Sequence, residues 1–279
     1  MKLFTTLAVA SCLVLPFVSA GPVFLKRQSD ENRMATSEEV ENLKYYMTLA
    51  GNAYCPTVIP GGQWDCGNCD RTANMEIVEV FTTPEHDTNA MVVRDDERKR
   101  IISVFREVTI STTSNNSNIQ WSELTNNNYL GTYQFKGFYQ SYEEVAEQIV
   151  SVVEQQVQEY PDYSLTSTGH SLGGCTSTLH ALDLHQRGYN VTLYSHAAPR
   201  IGNRAFVEYA ASTGIPYYRL TNKRDLFVDF PSRLLGYVHG GTEYWINSRD
   251  EIEVCPNGPE TNGCYDSGFG IKNIDDHLQ

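Results

Sequence analysis

An α/β fold with a largely parallel sheet is predicted by three features of the chain. Short apolar strands alternate with helical periods along its middle. A Gly-x-Ser-x-Gly turn joins one such strand to the helix after it. The 279 residues suit one domain with a sizeable core.

Each element has its own signal. Thr36-Ser37-Glu38-Glu39 reads as a capping box, and Val40, Leu43, Met47 and Ala50 then recur at helical spacing. Ile101 to Phe105 is a short apolar run bounded by charges, which predicts a buried strand. Residues 111–128 are rich in Ser, Thr and Asn and predict a surface loop or a weak helix. Tyr142, Val145, Ile149, Val152, Val153 and Gln156 mark one helical face, which Pro161 closes off. Tyr163 to Thr168 predicts a strand. Leu172 to Gln186 predicts a helix with Leu179 and Leu182 inward, stopped by Gly188. Val191 to Ser195, Tyr217 to Thr221 and Glu243 to Ile246 predict three more strands. No internal repeat is present.

The N-terminus has the layout of a secretion signal. Lys2 precedes an apolar run from Leu7 to Phe17, and Val18-Ser19-Ala20 fits a small-residue cleavage site. That run is too short to span a bilayer, and no other segment is apolar for long enough. Residues 1–20 are therefore expected to be a signal peptide and 21–36 a short propeptide or mobile segment. Lys26-Arg27 would be a dibasic processing site, with the mature chain starting near Gln28. The domain proper spans 37–279.

Charge and cysteines narrow the function classes. With 34 Asp plus Glu against 21 Lys plus Arg, the net charge is -13. No basic cluster suggests nucleic acid, and the acidic surface argues against electrostatic docking on anionic lipid. In an oxidising compartment, Cys66 with Cys69 and Cys255 with Cys264 are candidates for two tight disulfide loops. A zinc site from the same four residues is the rival reading, disfavoured by secretion. Cys55 and Cys175 are left over, Cys175 as a core thiol. Asn115-Asn116-Ser117 and Asn190-Val191-Thr192 are N-glycosylation sequons.

Thr168-Gly169-His170-Ser171-Leu172-Gly173-Gly174 has the strand–turn–helix setting of a nucleophile elbow. Small residues at 169 and 173 let strand and helix approach, and the turn lifts the Ser171 hydroxyl above the sheet. The Leu172 N–H, at the helix start, can donate to an oxyanion. With such an elbow the acid and then the base follow the serine along the chain. His86 and His170 are excluded by order, and His180 and His185 point away from the helix start. His196 precedes any suitable acid loop. Asp225 follows a strand and is the best acid, with Asp229 second. The Glu243 to Ile246 strand should lie between acid and base, which selects His277 over His239. Ser171, Asp225 and His277 are the expected catalytic triad.

Several segments together resemble the class 3 fungal lipases of the Rhizopus and Rhizomucor type, over roughly residues 37–277. They are Ala53-Tyr54-Cys55, Trp64-Asp65-Cys66-Gly67-Asn68-Cys69, Thr168 to Gly174, Ala198-Pro199-Arg200-Ile201-Gly202-Asn203, Lys223-Arg224-Asp225, Glu243-Tyr244-Trp245-Ile246 and Asp276-His277-Leu278. The resemblance implies an α/β-hydrolase fold with flanking helices and hydrolysis of triacylglycerols at a lipid–water interface by a secreted, monomeric enzyme with no metal or cofactor. The family's triad falls on Ser171, Asp225 and His277.

Four departures from the family pattern stand out. Its Phe-Arg-Gly-Ser/Thr oxyanion loop is replaced by Phe105-Arg106-Glu107-Val108-Thr109, so Val108 or Thr109 would take the second oxyanion role. Its apolar lid is replaced by the polar 111–128 stretch with the Asn115 sequon. Val228-Asp229-Phe230-Pro231-Ser232 lacks two family prolines. The cysteine that the family pairs with the equivalent of Cys55 is not in this sequence. These departures keep two alternatives open: a feruloyl or short-chain carboxylesterase, and a catalytically impaired lipid-binding relative.

Overall fold

The computed structural model describes residues 31–59, 61–83, 88–107, 121–123, 132–256, 260, 263–268 and 271–277. The leader, Val108, Thr109, Asn115 and most of the 111–128 stretch lie outside the described residues. Five parallel strands form the middle of a nine-stranded sheet: Arg100–Glu107, Ser164–His170, Val191–His196, Tyr217–Asn222 and Thr242–Ile246. Antiparallel strands extend both edges: Thr88–Asp95 and Glu76–Thr82 on one side, Ile252–Cys255 and Arg33–Met34 on the other.

Burial explains the Ile101 to Phe105 run. Ile101 and Phe105 face one apolar cluster, with Ile149, Val153 and Leu179 from helices Ala146–Glu159 and Leu172–Gln186. Ile102 and Val104 face the other, with Leu43, Tyr46 and Leu49 from helix Ser37–Asn52. A strand covered on both faces reads as continuous apolar sequence rather than alternation.

The capping box forms as read. The Glu39 N–H donates to Thr36 Oγ1 at 3.3 Å, and Thr36 N–H to Glu39 Oε2 at 2.8 Å. The buried face of that helix is Leu43, Tyr46, Leu49 and Ala50, whereas Val40 and Met47 sit at its margin. The helical face predicted from Tyr142 to Gln156 is divided between two helices, Lys136–Glu143 and Ala146–Glu159. A tight turn, with Val145 N–H on Tyr142 O at 3.1 Å, keeps Tyr142 and Ile149 in the same core. Among the described residues, no helix is long and apolar enough to cross a membrane.

The elbow strand Ser164–His170 and the elbow helix Leu172–Gln186 meet with almost no clearance. A Cβ on Gly173 would lie 2.2 Å from the Phe105 carbonyl oxygen, a backbone atom that cannot step aside. Gly173→Ala is expected to destabilise the fold by about 1–3 kcal/mol, read as a lower urea midpoint; an unchanged midpoint would contradict this packing.

Buried histidines tie the fold to pH. Burial pushes His170 down to about 4 and His180 and His196 down to about 3, and His239 lies well below its ordinary value. As pH falls below 6.5, the unfolded chain takes up protons that the native state refuses, so stability falls. Each such histidine steepens the loss by about 1.4 kcal/mol per pH unit. Glu39, held at about 2 mainly by its Arg33 hydrogen bond, adds its own loss only below about 4.5. The urea midpoint should therefore drop between pH 7 and pH 5; a flat profile would mean these imidazoles are protonated in the native state.

Candidate active site

Ser171 occupies the elbow with φ 57° and ψ -128°, a left-handed conformation forced on a residue with a side chain. Its N–H donates to His196 O at 2.9 Å, which pins the turn to the neighbouring strand. A Cβ on Gly169 would lie 2.1 Å from Gly173 O, so the strand before Ser171 passes directly over the first turn of the helix. That geometry leaves the hydroxyl at the carboxyl end of the parallel strands. Leu172 opens the helix, and its N–H has no acceptor one turn back.

Asp225 and His277 come to Ser171 from two other segments. The His277 Nε2 lies 2.8 Å from Ser171 Oγ, and its Nδ1 lies 2.8 Å from Asp225 Oδ2. With a carboxylate on Nδ1, that nitrogen carries the proton, and Nε2 is left to accept from the serine hydroxyl. Asp225 is fully buried and His277 nearly so. The other Asp225 oxygen accepts from Phe227 N–H at 2.8 Å, and its main-chain oxygen accepts from Tyr265 O–H at 2.7 Å. The carboxylate therefore has fixed partners and one orientation.

Residues 271–277 carry His277. Asn222 Nδ2 donates to Asp276 O at 2.8 Å, and Arg224 N–H to Asp276 Oδ2 at 3.1 Å. Asn273 N–H donates to Arg224 O at 3.0 Å, while Leu226 N–H donates to Asn273 O at 3.2 Å. The loop that presents Asp225 is thus the same loop that holds His277. The Phe227 ring packs on the His277 ring with centroids 4.3 Å apart.

An apolar cavity of about 450 Å³ opens beside this group, lined by Leu172, Pro199, Leu226, Phe227, Asp229, Phe230 and Ser232. One wall is held by Arg200, whose side chain is fully buried. The guanidinium donates to Asp229 Oδ1 at 2.8 Å, Pro231 O at 2.9 Å and Glu260 Oε1 at 2.5 Å. Lys272 also pairs with Asp229. A buried guanidinium without such partners would be prohibitive, so the wall and the ion cluster form together. Two of the lining residues, Leu226 and Phe230, are also exposed apolar side chains, and exposed Leu234 and Leu235 follow Ser232 along the chain.

The profile of the family described as lipase (class 3) matches residues 102–234. A lipase of Rhizomucor miehei is 43% identical over 255 residues, covering 88% of this chain and 69% of that relative. The chain belongs to the class 3 lipase family. A lipase of Rhizopus niveus is 36% identical, over 88% of this chain and 64% of its own length. A solved triacylglycerol lipase with a serine protease triad as its catalytic centre superimposes with a TM-score of 0.83 at 42% identity, over 89% of this chain and 96% of that one. Its fold is the α/β-hydrolase fold.

In this class 3 lipase, Ser171, His277 and Asp225 converge in hydrogen-bond order, with Leu172 alongside. The two rival triad residues are occupied elsewhere: His239 Nε2 donates to Val228 O at 2.7 Å, and Asp229 pairs with Arg200. Cys66 with Cys69 and Cys255 with Cys264 form the two expected disulfides. Cys55 and Cys175 keep their thiols, and the Cys55 sulfur lies within 4.8 Å of those of Cys66 and Cys69. Asn190 is exposed at its sequon. Sequence reading missed Arg200, although it lies in the Ala198 to Asn203 segment, and missed Phe227, two residues after Asp225. Asp225→Asn should leave the fold intact but lower kcat by about 10⁴-fold, because the amide favours the wrong imidazole tautomer. Near-normal kcat with a soluble ester would contradict the role of this carboxylate.

Proposed function

We propose that Ser171, His277 and Asp225 hydrolyse glyceride ester bonds through an acyl-enzyme. The observation that carries this reading is the hydrogen-bond chain from Asp225 through His277 to Ser171, both links at 2.8 Å, beside an apolar cavity. Ser171 Oγ attacks the ester carbonyl while His277 Nε2 takes its proton. Asp225 holds the imidazole tautomer and stabilises the imidazolium. The oxyanion of the tetrahedral intermediate accepts from Leu172 N–H. Val108 or Thr109 is proposed as the second donor. As the intermediate collapses, His277 returns the proton to the leaving alcohol. Water then attacks the acyl-serine with His277 as base, releasing the carboxylic acid and regenerating Ser171.

The substrate class follows from the surroundings of the serine. The cavity beside it is lined mostly by hydrocarbon, and the exposed Leu226 and Phe230 of that lining suit a surface pressed against lipid. The net charge of -13 favours neutral over anionic lipid. Secretion, with residues 1–20 as leader and processing at Lys26-Arg27, fits the two disulfides, whereas Arg33–Met34 pairs in the main sheet and so belongs to the mature domain. Glycans would be carried at Asn190 and Asn115, on a monomeric enzyme.

The test follows hydrolysis of a short-chain triacylglycerol as its concentration crosses the solubility limit. The rate should jump when emulsion droplets appear, and Ser171→Ala should abolish both hydrolysis and covalent labelling by an organophosphonate. A smooth saturation curve through the limit would point to a soluble-ester esterase. Absence of labelling in the wild-type protein would rule out the serine mechanism.

A further inference from the structure

His170 stands between the glycine and the serine of the turn, and the tight backbone packing of the elbow does not involve its side chain. The tight contacts are made by its glycine neighbours. Yet the imidazole turns back over the site. Its Nε2 lies 3.2 Å from the main-chain carbonyl oxygen of His277. Its ring lies 4.8 Å from the His277 ring, tilted by 40°. On the far side, Tyr54 O–H lies 3.4 Å from His170 Nδ1, and the two rings meet edge to face. A carbonyl can only accept, so Nε2 carries the proton, and Nδ1 is then free to accept from the tyrosine hydroxyl. The Tyr54 O–H lies equally 3.4 Å from the His170 main-chain oxygen, so the directional link is the one from His170 Nε2 to the His277 main chain.

We propose that His170 is a positioning residue for the reaction, holding the backbone of His277 so that its Nε2 stays within hydrogen-bond reach of Ser171 Oγ. This rests on the triad reading above. The main-chain bonds to residues 273 and 276, the Lys272–Asp229 ion pair and the His277 Nδ1 bond to Asp225 all tie residues 271–277 to the acid loop. His170 instead holds the main chain of residue 277, and does so from the residue next to the nucleophile. Nucleophile and base thereby share a short mechanical link that bypasses the acid loop. Burial first, and the neighbouring His277 charge second, press His170 down to about 4. It therefore stays neutral while His277 cycles through its imidazolium, and it brings no second positive charge against the base.

The test compares His170→Ala, His170→Phe and His170→Gln with wild type on a soluble ester, with thermal unfolding measured on each. Displacement of a reacting group by about 1 Å costs on the order of 10²-fold in rate. His170→Ala and His170→Phe should lose roughly 10- to 100-fold in kcat, with little change in KM or in the unfolding temperature. His170→Gln, whose amide nitrogen can take the place of Nε2, should recover most of that loss. All three should still label at Ser171 with an organophosphonate, the first two slowly. Wild-type kcat in His170→Ala would overturn the proposal and leave the triad intact. So would a loss that follows a fallen unfolding temperature and is not rescued by Gln. A wild-type protein that neither turns over nor labels would overturn the triad reading, and this proposal with it.

Discussion

The site depends on how closely the backbone of Gly169 passes that of Gly173. A Cβ at either position would meet a main-chain carbonyl at 2.1 or 2.2 Å. Those contacts let the elbow strand, its helix and the Arg100–Glu107 strand close on one another. The closure holds Ser171 at φ 57°, which a side-chain-bearing residue adopts only when its surroundings over-determine it. The strain has a direct chemical product: the hydroxyl stands clear of the sheet, with the helix N-terminus beneath it. The remaining parts of the site are placed by reference to this turn.

Asp225 and His277 reach it through a shared support. The loop after Tyr217–Asn222 presents Asp225, binds residues 271–277 and supplies Leu226, Phe227 and Phe230 to the apolar cavity. Arg200 holds the far part of the same loop through Asp229 and the Pro231 carbonyl. Acid, base and one cavity wall are thus coupled through about ten residues of irregular chain. Buried charge is costly in general. Here its use is geometric, because a guanidinium has enough donors to hold two carboxylates and two carbonyls at fixed angles.

Much of this was readable from the chain because its local signals agree. Strand, turn and helix around Ser171 each have a separate marker, and the acid was found by the strand that precedes it. His277 was separated from His239 by one intervening strand, Thr242–Ile246. What escaped was of two kinds. Glu76–Thr82 and Thr88–Asp95 are edge and near-edge strands, and the first mixes exposed charge with only partial burial, so no clean period appears. Arg200 reads as a surface cation until its partners 29 and 60 residues away are known. Long-range charge pairing leaves no periodic trace in sequence. The division of the Tyr142 to Gln156 face into two helices was hidden for the opposite reason, since the tight turn preserves the apolar stripe across the break.

The attachment of residues 271–277 has a consequence for what stability means in this molecule. Of that segment's two isoleucines, Ile271 is 92% and Ile274 51% exposed, so among the described residues the segment is held by hydrogen bonds, the Lys272–Asp229 ion pair and the packing of one imidazole rather than by buried hydrocarbon. Segments with few buried apolar contacts open at a fraction of the global unfolding free energy. Ser171 and Asp225, set in the sheet and its loop, would stay in place while His277 left. The protein then has two thresholds: a low one at which it stops being an enzyme, and a higher one at which it stops being folded. Its working lifetime is set by the lower.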